Sequence, residues 1–104
     1  MVNTGNYGAV LHYLKAVKEM GAAQAKKSGA AVVAQMKAMP TDDDCFGVGR
    51  IREDGRKLHP AYLLQAKSPA ESTGVWDLLK VVSTTQGEQA FRPLRDGGCA
   101  FVKA

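Results

Sequence analysis

The residues whose types could carry chemistry are two histidines, His12 and His59, three consecutive carboxylates, Asp42, Asp43 and Asp44, and two cysteines, Cys45 and Cys99. A histidine becomes a general base or activates a nucleophile only when partner groups orient it, and nothing in the spacing around His12 or His59 supplies such partners. A calcium loop needs alternating ligands, a central glycine and a distant glutamate. The Asp42 to Asp44 run has none of that spacing, so it reads as a solvated acidic turn. Cys45 and Cys99 form no C-x-x-C pair and have no second pair to complete a zinc site. Two reduced thiols and one long-range disulfide both remain open. Gly47-Val48-Gly49 is a G-x-G, but a strand follows it and no helix opens behind it, so it is a poor phosphate loop. The sequence therefore predicts no catalytic residue, no metal ligand and no cofactor.

Charge and length narrow the classes further. The chain has 104 residues, a net charge of +4, 45% hydrophobic and 23% charged residues, the composition of an ordinary globular domain. Arg50, Arg52, Arg56 and Lys57 cluster, but nucleic-acid binding needs a denser stripe with aromatic stacking partners. A solvated basic face is the simpler reading, and nucleic acid is not expected as a partner. No apolar run is long enough to span a bilayer. Met1-Val2-Asn3-Thr4-Gly5-Asn6 lacks the basic start and apolar core of a signal peptide, so the chain as written reads as cytoplasmic.

The elements that must position these residues follow from periodicity. Residues 5 to 20 read as an amphipathic helix, with Val10, Leu14 and Val17 at i, i+4, i+7 and a second row of Ala9, Tyr13, Ala16 and Met20. So wide an apolar face predicts packing on more than one side. Thr4 is placed to cap this helix and Gly21 to end it. A second helix falls within residues 22 to 39, with Val32, Val33, Met36 and Met39 as its stripe. Gly29 weakens it, Ser28 is placed to cap a shorter helix there, and Pro40 stops it. Asp54-Gly55 signals a two-residue hairpin turn with positive φ, which Gly supplies and Asp tolerates. It joins strands at 47 to 53 and 56 to 67, with Pro60 favouring an edge position. A third strand is expected at 76 to 84, with Trp76 as a buried anchor on the sheet. A tail of residues 85 to 104 follows. It holds a short helical turn before Pro93 and an extended end at Cys99 to Val102. The fold class is α+β, one small domain over residues 1–104: two amphipathic helices, then an antiparallel hairpin with a third strand.

Asn6-Tyr7-Gly8-Ala9-Val10-Leu11-His12-Tyr13-Leu14-Lys15-Ala16-Val17 and Val32-Val33-Ala34-Gln35-Met36-Lys37-Ala38-Met39-Pro40 resemble, in order, the first two helices of the C-terminal part of the periplasmic substrate-binding proteins of branched-chain amino-acid ABC importers. Gly49 to His59 and Tyr62 to Ser72 resemble its closing strands. Trp76-Asp77-Leu78-Leu79-Lys80-Val81-Val82 and Ala90-Phe91-Arg92-Pro93-Leu94 resemble the tail of one subgroup, in which a terminal cysteine often stands where Cys99 does.

The resemblance implies a non-enzymatic, periplasmic receptor component whose two α/β lobes close on an amino-acid ligand, with this chain as a truncated relative. It places Asn3, Thr4 and Tyr7, at the start of the first helix, as the residues here that could approach the ligand. It does not extend to amino-acid binding by the 104 residues alone, because one helix N-terminus gives little affinity without an opposing lobe. A helix face without its usual sheet would favour self-association, and an unpaired hairpin edge can add a strand. A homo-oligomer, a dimer through the first helix or the hairpin edge, is therefore expected. The alternative function is a small stand-alone interaction module whose basic hairpin binds an anionic partner.

Overall fold

Residues 2–102 are described by the computed structural model. Three helices open it: α1 Val2–Met20, α2 Ala22–Ala25 and α3 Gly29–Ala38. Thr4 is not a cap but lies inside α1, which already runs from Val2. Gly21, at φ 81, breaks α1 from α2. The single second helix expected from the sequence is two, because the Ser28 side chain caps a fresh start by accepting from the Ala31 N–H at 3.2 Å. The backbone turns extended at Met39, ahead of Pro40.

Of the expected apolar rows, α1 fully buries only Ala16. Gly8, His12 and Ala16 point inward, while Val10, Tyr13 and Leu14 are 47–57% exposed. Gly8 and Ala16, small residues two turns apart, let α1 approach its neighbours closely, and the larger apolar side chains are left outside.

Two small antiparallel sheets follow. The first has the order β1-β2-β3, from Thr41–Asp43, Gly47–Ile51 and Lys57–Leu58. The acidic turn expected at Asp42 to Asp44 is thus partly a strand, with Asp43 pairing Gly47 and Thr41 pairing Gly49. A side chain at Gly49 would place its Cβ 2.1 Å from the Leu58 carbonyl oxygen, so the residue is held to glycine by backbone proximity. The hairpin loop is longer than a two-residue turn. Arg52 N–H donates to Arg56 O at 2.9 Å, and Gly55 N–H donates to Arg52 O at 2.9 Å. Gly55 alone takes positive φ, at 83, and Asp54 does not. This is the three-residue loop that ends in a left-handed glycine bulge.

The strand expected over 56 to 67 does not run through. It leaves the first sheet after Leu58 and passes His59-Pro60, where Pro60 has no N–H to continue the ladder. It then enters a separate two-stranded ribbon of β4 Ala61–Ala66 and β5 Leu79–Thr85. The third strand therefore pairs with β4 alone. Trp76 is not a buried anchor; it lies in the loop before β5 and is 93% exposed. The tail is only partly extended. It contains α4 Gly87–Ala90 and a 3-10 turn at Leu94–Gly97. Cys99 to Val102 forms a turn closed by Val102 N–H to Cys99 O at 3.0 Å. Lys103 and Ala104 lie outside the described residues.

Packing is concentrated in the first half. The buried apolar residues are Ala16, Val32 and Leu58, drawn from α1, α3 and β3. The radius of gyration is 17.1 Å and the principal extents are 55 × 35 × 18 Å, against about 13 Å for a compact domain of similar length.

Candidate functional site

The densest polar chemistry lies where α1 meets the β1–β2 turn. Asp43 is 8% exposed. Its Oδ1 accepts from the backbone N–H of Cys45 at 3.0 Å and of Phe46 at 2.8 Å, and its Oδ2 accepts from Lys57 Nζ at 2.5 Å. Burial pushes the carboxyl upward. The bonds from Lys57 and from the Phe46 and Cys45 N–H groups outweigh it and hold Asp43 below the usual carboxylate range. Gly8 makes room for this pair, since a Cβ there would sit 2.9 Å from Asp43 Oδ2.

His12, 4% exposed, ties α1 to α3. Its Nε2–H donates to the Met36 carbonyl at 2.8 Å, which leaves Nδ1 as an acceptor in the neutral ring. Among the described residues, His12 Nδ1 and Thr41 Oγ1 are buried without a partner. A cavity of about 330 Å³ opens beside them, lined by Gly8, His12, Met36, Thr41, Phe46 and Lys57 among others. The two unpartnered atoms do not reach solvent, so they offer a ligand nothing in this arrangement. His59 Nδ1 bonds the Pro60 carbonyl at 2.9 Å, and its ring packs against Phe46 and Phe91. Among the described residues no cluster of three or more His, Cys, Asp or Glu could hold a metal ion. Cys45 and Cys99 are both free thiols.

The basic hairpin is occupied by its own chain. Arg50 Nη2 pairs with Glu88 at 2.7 Å. Arg52 is 9% exposed rather than solvated. It forks onto Asp54 at 2.7 and 3.2 Å and donates to Arg92 O at 3.0 Å. Hydrogen bonding from Arg52, ahead of the opposing effect of burial, holds Asp54 below the usual carboxylate range. Arg56 sits 5.5 Å from the Phe91 ring centroid, and Lys57 serves Asp43. This internal pairing leaves the cluster little charge for an anionic partner.

Asn3, Thr4 and Tyr7 lie on the first two turns of α1. Asn3 and Tyr7, one turn apart, are exposed and share a face, while Thr4 is half-buried. None of the three lines the 330 Å³ cavity. Tyr7 borders a shallow apolar depression of about 340 Å³ with Asn6, Val10, Leu11 and Leu14. The charge of Asp44 beside it, followed by burial and the charges of Cys45 and Asp43, raises the Tyr7 phenol. The sequence reading missed Asp43, Thr41 and Lys57 as the organised centre. Gly8, His12 and Ala16 at i, i+4, i+8 were the signal of a closely packed face.

A family model described as periplasmic binding protein matches residues 1–73, and the chain belongs to that family. Two solved structures agree. A periplasmic binding protein from Burkholderia mallei is 43% identical over 93% of this chain, with a TM-score of 0.77. A branched chain amino acid ABC transporter periplasmic ligand-binding protein from Burkholderia xenovorans LB400 is 40% identical over 93%, with a TM-score of 0.78. The chain spans about a quarter of the length of each, 24% and 25%. No curated protein matches it. No helix among the described residues is long and apolar enough to cross a membrane.

Proposed function

We propose that these residues serve in the substrate-binding component of an amino-acid importer of the branched-chain type, as non-enzymatic scaffold for one side of the ligand cleft. The observation that carries this reading is 40% identity over 93% of the chain to the Burkholderia xenovorans ligand-binding protein. The first turn of α1 supplies the ligand contacts. N–H groups at a helix start suit a carboxylate, with Asn3 and Thr4 beside them. The negative charge of Asp44 next to Tyr7 suits the ligand's ammonium group. Three quarters of the relatives' length lies outside this chain, so the opposing wall of the cleft is not among these residues.

Titration calorimetry tests the reading in a chimera, in which residues 1–104 replace the matching quarter of the Burkholderia xenovorans protein. Leucine, valine or phenylalanine gives heat with the chimera and none with the 104-residue chain alone. Tyr7→Ala in the chimera weakens binding about tenfold, or about 1.4 kcal/mol. A chimera that folds but gives no heat with any amino acid removes the reading.

A second reading concerns assembly of the chain on its own. Tyr7, Val10, Tyr13 and Leu14 form an outward row on α1, each 45–57% exposed. We infer that two copies pair through this row, because apolar patches of this kind mark contact surfaces. Light scattering behind size exclusion at micromolar concentration gives a dimer that Val10→Asp converts to monomer; a monomeric native chain sinks the idea.

A further inference from the structure

Asp44 stands in the turn between β1 and β2, and its carboxylate lies beside the Tyr7 phenol. It is an exposed residue, so packing does not hold its side chain. Its charge stays against Tyr7 only while the backbone that carries it is fixed. What fixes that backbone is a neighbouring carboxylate. Asp43 Oδ1 accepts from the N–H groups of Cys45 at 3.0 Å and Phe46 at 2.8 Å. An aspartate that bonds the backbone ahead of it closes a turn on itself, and Asp44 is the residue enclosed.

The closed turn is clamped from outside by Lys57, which reaches over from β3. Its Nζ donates to Asp43 Oδ2, and it stands 4.6 Å from the ring centroid of Phe46, at the far end of the turn. Both members of the pair meet α1 at the residue after Tyr7. A Cβ on Gly8 would lie 2.9 Å from Asp43 Oδ2 and 3.3 Å from Lys57 Nζ. On the other side of Asp43, Lys15 Nζ donates to the Asp42 carbonyl at 2.7 Å, so β1 is tied to α1 there too. Without Lys57 the Asp43 carboxylate is a buried charge with no cation. It would turn toward water and give up the two N–H bonds that shape the turn.

We infer that Lys57, acting through Asp43, is a positioning residue for the start of α1: it keeps the β1–β2 turn closed, so that the Asp44 carboxylate stays against Tyr7 where it can receive the ammonium group of an amino acid. The inference rests on the ligand reading proposed above and adds the residues that set the charge at that place. A Lys57 that only stabilised the first sheet would leave the surroundings of Tyr7 as they are, provided the chain stays folded.

Tyr7 reports the arrangement without any ligand. The charge of Asp44, then burial and the charges of Cys45 and Asp43, hold its phenol above the ordinary value of about 10. An NMR titration of the tyrosine ring carbons in the 104-residue chain, with Tyr7 assigned by its loss in Tyr7→Phe, follows that phenol. Asp44→Asn lowers it. Gly8→Ala changes no charge and favours the helix, but its Cβ displaces the Asp43–Lys57 pair. Tyr7 then falls toward its ordinary value while the helix signal of α1 is kept. Lys57→Met separates position from charge by sign. Loss of a cation alone moves a phenol up, so a fall in the folded variant reports a released turn. An unchanged Tyr7 in Gly8→Ala overturns the inference, as does an unchanged or higher one in folded Lys57→Met. Should Lys57→Met not fold, Gly8→Ala decides. In the chimera, Lys57→Met weakens leucine binding several-fold and adds nothing to Asp44→Asn, whereas additive losses also overturn it. A chimera without amino-acid heat removes the ligand reading and leaves the Tyr7 result standing, so the two failures are distinct.

Discussion

The two sheets are held in opposite ways. The β1-β2-β3 sheet is secured by buried polar groups: the Asp43–Lys57 pair, the Arg52 fork onto Asp54 with its bond to Arg92 O, and the nearby His12 bond to Met36 O. The β4–β5 ribbon has exposed apolar side chains and an ordered loop, and it buries nothing. Directional bonds complete the first region inside the chain. The second leaves its apolar side chains in water, where they add little, since apolar area stabilises in proportion to what is removed from water.

The sharpest way to break the self-sufficient half is Gly49→Ala. Its Cβ would meet the Leu58 carbonyl oxygen at 2.1 Å and Thr41 Oγ1 at 2.9 Å. The first obstacle is backbone, so β2 and β3 must separate. The expected cost is about 3 kcal/mol or more, read as a lowered urea midpoint of the chain. Lys57→Met follows. It leaves Asp43, 3% exposed at its side chain, with two N–H donors but no cation. Removing one member of a buried pair costs about 3–5 kcal/mol. Because Lys57 is itself 22% exposed, about 2–3 kcal/mol is expected, by the same urea measurement. An unchanged midpoint in either variant would mean that the first sheet is not held as described.

Much of the first half was legible because its signals are local. Ser28 stands before an apolar stripe, Gly21 stops one helix, Pro40 stops another, and Gly55 demands a left-handed backbone. The inward face of α1 was misread. Apolar rows dominate a periodicity argument, whereas close approach through Gly8 and Ala16 depends on what lies opposite. Asp43 was read as solvated, since nothing in the sequence places Lys57 across from it. The exposure of Trp76 was the least legible. Burial is a property of the whole fold, and no local signal around Trp76 reports it. As for Asn3, Thr4 and Tyr7, the sequence could name the start of α1 from resemblance but could not say that Asp44 lies beside Tyr7.

The loop between β4 and β5 should hold its ion pairs well into the acid range. Bonds from Lys80 and from Ser68 bring Glu71 down to about 2, and bonds from Lys67 and Thr73 do the same for Asp77. A carboxyl whose folded value is depressed contributes stability above its unfolded value of about 4, and that contribution fades as pH falls through the folded value. The loop should therefore keep its bonds through the window from about 4 down to about 2. Carboxyl chemical shifts of Glu71 and Asp77 followed by NMR check this. Midpoints near 4 would show a loop that is not pinned.

The smallest effect expected is also the most discriminating. Trp76→Ser in the 104-residue chain should change its urea midpoint by less than about 0.5 kcal/mol, as for an exposed residue outside any special feature. The same loss of a large aromatic from an interior position costs about 3–5 kcal/mol. The contrast does not depend on knowing the ligand. A silent substitution says that the ribbon tip contributes nothing within the chain. A loss of several kcal/mol would place Trp76 in the chain's own core and erase the division between the two sheets.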